Sequence, residues 1–226
     1  MTYNPSPRPL VAPPYASTQL DVILTARDWI DCAALVLDCE ATGLEPDAEI
    51  IEISVLDLAG NVLLDTLVKP TKLIPAASTL IHGIDDGMVA NAPSWPEIHG
   101  RVWEIIRGRL VIAYGMDFDY RVLKTNAAQH DKPHAGEVVF SADFVLLDDS
   151  TTFLCLMRAY ANLWQEPSSH ARTSNGWRWK SLTAACESQG IPTDGAHRAK
   201  ADCLMKIALV HAMAGTPRVC AKRLPN

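Results

Sequence analysis

The sequence predicts an α/β fold: a mixed central sheet, three antiparallel strands followed by parallel strands, flanked by helices. Two observations carry that expectation. Residues 33–70 hold three short apolar runs, the last two joined by a Gly60-Asn61 turn, which is how an antiparallel opening reads. From Pro96 onward, stretches with helical spacing alternate with apolar runs of strand length, the pattern of parallel strands with helical crossovers.

The elements follow in order. "TQLDVILTARDWID" places Leu20, Ile23, Leu24 and Ile30 at helical spacing, with Thr18 and Asp21 positioned as a helix start. An apolar run over residues 33–37 is the first strand. "AEIIEISVLDL" is the second and "VLLDTLVKP" the third. "TKLIPAASTLIHGIDDGMVANAPSW" reads as a loop. A helix over residues 96–107, a strand over 110–114 and a helix over 118–130 come next, then a strand at about 144–148. Helices are expected at about 150–164, 179–189 and 198–214, and no segment repeats.

A chain of 226 residues, 48% hydrophobic, fits one domain with a full core, expected over residues 19–215. The net charge of −6 does not suggest a broad basic surface gripping duplex backbone, so nucleic-acid contact is expected to be local, at a chain end or through a metal. The six cysteines are scattered without a C-x-x-C pair, which reads as reduced thiols in a cytoplasmic protein and speaks against zinc. No apolar run has the length of a membrane span. Residues 1–18, with five prolines and no signal-peptide pattern, read as a flexible tail, and residues 216–226 as a second one.

The stretch "LVLDCEATGLEPDAEIIEIS" puts two carboxylates, Asp38 and Glu40, into an apolar strand, where charge is costly unless compensated. Side chains at i and i+2 of a strand share a face, about 6.5–7 Å apart, so both acids face one way and Cys39 the other. The compensator is a partner side chain, water at the strand end, or a hard divalent cation that both acids share. Gly43, in Ala41-Thr42-Gly43-Leu44, permits a tight turn whose backbone N–H groups can meet a ligand. Asp119 opens a helical segment, where an acid favours the positive end, and Asp117 reads as an N-cap.

Asp202 lies in the apolar-periodic helix "AKADCLMKIALVHAM", and His197 lies five residues earlier. On one continuous helix that spacing turns the two side chains about 140° apart. If both serve one site, His197 must sit on the loop entering the helix, and Pro192 and Gly195 mark such a loop. A histidine beside an acidic cluster suits a general base for water. In "NGWRWKSL", Trp177 and Trp179 among Arg178 and Lys180 read either as base-stacking groups or as core anchors. The acids of "EPDAE", and Asp148 and Asp149 of "FVLLDDS", read as solvated loop residues.

Together, "DCEATGL", "EIIEISVLDLAGNVLLDTLVKP", "IHGI", "AYGMDFDYRVL" and "HRAKAD" resemble the DnaQ-like (DEDDh) 3′→5′ exonuclease superfamily of the proofreading type, over roughly residues 33–214. The third motif, His-x-Ala-x-x-Asp, is matched by His197, Ala199 and Asp202. The second, His-Asn-x-x-Phe-Asp, is matched at Phe118 and Asp119, while Tyr114 and Gly115 replace His-Asn. The resemblance implies a ribonuclease H-like fold and removal of nucleoside 5′-monophosphates from 3′ ends of DNA. RNA as substrate and a non-catalytic nucleic-acid-binding module are the alternatives. It implies four acids, Asp38, Glu40, Asp119 and Asp202, holding two Mg²⁺ or Mn²⁺ ions, with His197 as general base. One ion would lie on Asp38, Glu40 and Asp202; the other on Asp38, with Asp119 acting through water. Ala41, Thr42, Gly43 and Leu44 would contact the terminal nucleotide, with His82 and Phe118 lining its pocket. Single-stranded or frayed 3′ ends would be the partners, with a polymerase or other protein docking through the tails and no membrane contact.

Overall fold

The computed structural model describes residues 18–130, 144–147, 151–168 and 176–215. Of the expected tails at residues 1–18 and 216–226, all but Thr18, the cap of the first helix, lie outside the described residues, as do Asp148 and Asp149.

Helix α1 (Gln19–Asp31) starts on a reciprocal cap: the Thr18 hydroxyl accepts from the Asp21 amide, and the Asp21 carboxylate accepts from the Thr18 amide. Strands β1 (Leu35–Ala41), β2 (Ile50–Asp57) and β3 (Val62–Leu67) pair antiparallel. β1 runs four residues beyond the expected Leu37, because its ladder with β2 continues through Asp38↔Ser54 and Glu40↔Glu52. Both acids are therefore strand residues.

The segment read as a loop contains two short helices, α2 (Ala76–His82) and α3 (Asp86–Val89). Pro75 begins α2, left-handed Gly83 ends it, and the Asp85 carboxylate caps α3. Helix α4 (Trp95–Ile106) starts on a Ser94–Glu97 capping box. Strand β4 (Leu110–Ala113) lies parallel to β1, and α5 (Asp117–His130) follows it after a short turn.

One expectation is overturned. Residues 151–155, read as the start of a helix, form strand β6 (Thr151–Cys155), parallel to β4 and antiparallel to β5 (Phe144–Leu147). All five residues are buried, so the polar–apolar alternation that marks a half-exposed strand is missing. Helix α6 (Leu156–Trp164) begins at the next residue, and α7 (Leu182–Ser188) and α8 (Ala199–Met213) follow among the described residues.

The sheet order is β3-β2-β1-β4-β6-β5. It has an antiparallel opening, a parallel centre and an antiparallel edge. β1 alternates between two cores. Leu35, Leu37, Cys39 and Ala41 pack with Trp95, Val102 and Ile106 of α4 and Tyr120 and Leu123 of α5. Val36 faces the opposite core, with Val22 of α1, Tyr160 of α6 and Cys203 of α8. Asp38 and Glu40 continue the face of Val36, so the alternation directs them towards α8. No described helix is long and apolar enough to cross a membrane.

Candidate active site

The site forms at the carboxyl end of β1, beside the end of the parallel strand β4, where open α/β sheets place their ligands. Asp38 and Glu40 come from β1 and Asp202 from the first turn of α8; one oxygen of each lies within 4.8 Å of the others. Asp119, in the first turn of α5, is buried, and its Oδ1 accepts the Cys39 amide at 3.1 Å. That bond ties it to the strand residue between the two β1 acids. The exposed Asp117 is the first residue of α5 and pairs with Arg158 at 2.8 Å, apart from the cluster.

The carboxylates are under electrostatic stress. Burial, then repulsion from Asp202 and Glu52, pushes Glu40 up to about 8. Burial raises Asp119 to about 6, against the pull of a lysine, Lys206, and of the Cys39 amide. Burial likewise raises Asp202, and it raises Asp38 despite Lys206 beside it. Three close, partly desolvated oxygen donors under mutual repulsion fit a hard divalent cation.

Lys206 escaped the sequence reading. It sits one turn after Asp202 on α8, its side chain only 1% exposed, and its ammonium donates to the Leu37 carbonyl at 2.9 Å and to Asp38 Oδ1. Burial alone would lower its pKa, but Asp38 and then Asp119 outweigh that and raise it. The available signal was a lysine inside the apolar run "CLMKIALV".

Glu52 and Arg198 were also missed. Glu52 lies opposite Glu40 in the β1–β2 register and is buried. Arg198 grips its carboxylate with Nε at 3.1 and 3.2 Å and with Nη2 at 2.6 Å. The Ala199 amide donates to the same carboxylate at 2.9 Å, so Glu52 caps the positive end of α8 from strand β2. This joint fixes where α8 begins, and hence where Asp202 and His197 stand. His197 precedes the helix, as the spacing argument requires, with φ +66° and its amide donating to Asp202 Oδ1 at 3.1 Å. A non-glycine residue in this region is uncommon and is held here by its surroundings. The His197 side chain is exposed.

The turn after β1 is braced on three sides. Ala41 sits at a register shift against β2. Thr42 exchanges backbone and side-chain bonds with Glu49, and its carbonyl accepts the Ser78 hydroxyl of α2 at 2.7 Å. Gly43 does not adopt a positive φ, and an added Cβ would only reach Ser78 Oγ at 4.0 Å, so the turn does not depend on glycine's backbone freedom. Leu44 projects outward, 78% exposed. Arg121 donates to the Leu44 and Glu45 carbonyls and stacks 5.4 Å over the Phe118 ring, joining this turn to α5. His82 is buried at the end of α2, its Nδ1 accepting the Ile84 amide at 3.0 Å.

One other expectation changes, and two residues left open are placed. Glu49, read as a solvated acid, is buried and accepts the Thr71 hydroxyl at 2.7 Å. Trp177 and Trp179 are half-buried, and their basic neighbours are engaged within the protein: Arg178 and Lys180 pair with Glu166 at 3.0 Å. Tyr114 directs its hydroxyl to the Lys180 carbonyl at 2.9 Å, so it secures the segment entering α7.

The raised carboxylates have a measurable consequence. Glu40 stands at about 8 in the folded protein against an ordinary 4.5, so the folded state holds more protons than the unfolded one between those values. Burial therefore costs stability as pH rises through that window. The Tm of EDTA-treated protein should fall between about pH 5 and 8, and Mn²⁺ added near pH 8 should recover it with proton release. Thermal unfolding across pH, with and without Mn²⁺, reads this out; a Tm that climbs steadily to pH 8 in EDTA contradicts it.

Residues 35–210 match the family model described as Exonuclease, RNase T. Over 198 residues the chain is 37% identical to "Uncharacterized exonuclease CP81" of Escherichia phage 186, covering 87% of this chain and 96% of that protein. Among solved structures it resembles exonuclease X in complex with 5′ overhanging duplex DNA, with a TM-score of 0.54 and 22% identity, over 81% of this chain and 94% of that one. It also resembles E. coli exonuclease I in complex with a dA16 oligonucleotide, with a TM-score of 0.61 and 18% identity, over 80% of this chain but 41% of that one.

Proposed function

The chain belongs to the RNase T-type exonuclease family, and from that premise we propose that it hydrolyses the 3′-terminal phosphodiester bond of DNA, releasing nucleoside 5′-monophosphates. The observation that carries the reading is the convergence of Asp38, Glu40 and Asp202 within 4.8 Å of one another, with His197 held at their edge by its amide bond to Asp202.

Asp38, Glu40 and Asp202 would hold a divalent cation, Mg²⁺ or Mn²⁺, which when bound stabilises charge on phosphoryl oxygens and makes water more acidic. The protein supplies the rest. His197, exposed and adjacent to Asp202, accepts the proton of the attacking water. The braced turn Ala41-Thr42-Gly43-Leu44 offers backbone groups to the terminal nucleotide, and the exposed Leu44 packs against its base. Phe118, under Arg121, and buried His82 would line the pocket of that nucleotide. DNA is favoured as substrate because both solved relatives reported above hold DNA.

The test is degradation of end-labelled single-stranded DNA, 5′-overhang duplex and RNA with Mg²⁺, Mn²⁺ or EDTA. 3′-labelled strands should yield mononucleotides first, while circles and 3′-phosphorylated ends resist. Release that persists in excess EDTA sinks the metal-dependent reading. Cutting of circular strands makes the protein an endonuclease, and faster loss of RNA reverses the substrate assignment.

A further inference from the structure

Resting on the metal-dependent reading above, we propose that the Lys206 ammonium stands in for the second cation, so that each chain binds a single divalent ion. Asp38, Glu40 and Asp202 already bring one oxygen each within 4.8 Å of one another and supply a complete acidic wall for one ion. Asp119 is not one of that trio, and its Oδ1 is engaged by the Cys39 amide. A second ion bridging Asp38 and Asp119 would have to share Asp38 with the lysine. Those two acids are the ones whose charges act most strongly on Lys206.

The geometry makes this cation permanent. Lys206 reaches the site through the core, and its ammonium is fixed by two acceptors of set direction, Asp38 Oδ1 and the Leu37 carbonyl. The Leu37 carbonyl lies beyond the last β1–β4 pair, Val36↔Ile112, where the two strands part. To leave, the ammonium would have to break both bonds with almost no solvent to receive it, its side chain being 1% exposed. An ammonium carries donors only and cannot ligate a metal. A divalent ion placed on the same side of Asp38 would meet its positive charge at close range in a poorly screened site. The remaining carboxylate oxygen of Asp38 stays available to the ion shared with Glu40 and Asp202.

The experiment counts ions. Metal-stripped full-length protein is titrated with Mn²⁺ alone, and with Mn²⁺ plus saturating thymidine 5′-monophosphate, using equilibrium dialysis and Mn²⁺ electron paramagnetic resonance. Wild type should bind one Mn²⁺ in both series, without the line broadening of a coupled pair. Lys206→Met should bind two and show that broadening. Two ions on wild type overturn the proposal while leaving the metal-dependent reading intact. One ion on both proteins also overturns it, because the lysine then excludes nothing. No ion on wild type removes the metal-dependent reading, and the proposal falls with it. If Lys206→Met does not fold, Lys206→Gln, which keeps a donor for the Leu37 carbonyl and Asp38 but carries no charge, is counted in its place, with two ions expected and one ion overturning the proposal.

Discussion

Asp38→Ala should bring cleavage down to the uncatalysed background and, separately, lower the thermal stability of the metal-free protein. Both effects come from one carboxylate with two partners. It lies with Glu40 and Asp202, with which it would hold the ion, and it also carries the charge that Lys206 answers. Removing one member of a buried ion pair leaves the other uncompensated, at a cost of about 3–5 kcal/mol. Asp119 still attracts the ammonium and the Leu37 carbonyl still accepts from it, so the lower end of that range applies. For a domain of this size, each kcal/mol shifts Tm by about 2–4 °C, so a fall of roughly 6–12 °C is expected. The double variant Asp38→Ala/Lys206→Met separates the two roles. Replacing a buried pair by apolar groups is often neutral or stabilising, so the double variant should recover Tm while remaining inactive. The measurements are thermal unfolding in EDTA and single-turnover cleavage with Mn²⁺. Turnover retained by either variant would remove Asp38 from the reaction, and a double variant no more stable than Asp38→Ala would deny the pairing with Lys206.

The contrast between Asp38 and Lys206 also shows what was legible in the chain. The facing of Asp38 and Glu40 follows from a two-residue period, which is local, and the structure keeps it: Cys39 enters one core and the acids face α8. The off-helix position of His197 follows from helical geometry once it shares a site with Asp202, with Pro192 and Gly195 marking the loop, and α8 does start at Ala199. The groups that were missed are paired between α8 and the sheet. Lys206 meets Asp38 at a separation of 168 residues, and Arg198 meets Glu52 at 146, so no window along the sequence contains either pair. Each pair also masks itself, since a charged residue in an apolar run looks like a solvated position until its partner is known. β6 escaped for the opposite reason. Five consecutive buried residues erase the alternation that identifies a strand, and the helix that follows at Leu156 lends them its own period.

His197→Ala should lower the rate of the chemical step by about 10²–10⁴-fold while leaving Mn²⁺ affinity unchanged. The acids proposed to hold the ion remain in place, and the bond from residue 197 to Asp202 Oδ1 is made by the backbone amide, which the substitution keeps. The backbone needs a control, because residue 197 sits at φ +66°. Histidine and asparagine tolerate that region better than alanine does, so alanine adds strain unrelated to proton transfer. His197→Asn keeps the tolerance and removes the base. If His197 acts as the base, the two variants should lose the chemical step alike; if it only shapes the loop, asparagine should restore most of the rate. Exposure supplies a second discriminator: free imidazole has access to the position vacated in His197→Ala and should recover part of its rate, which no structural role predicts. The readout is single-turnover cleavage of a 3′-labelled oligonucleotide, with Mn²⁺ affinity followed in parallel. Either variant cleaving at the wild-type rate would place the base elsewhere. A wild-type protein that binds Mn²⁺ and oligonucleotide yet never cleaves would instead be a nucleic-acid-binding module built on a nuclease scaffold.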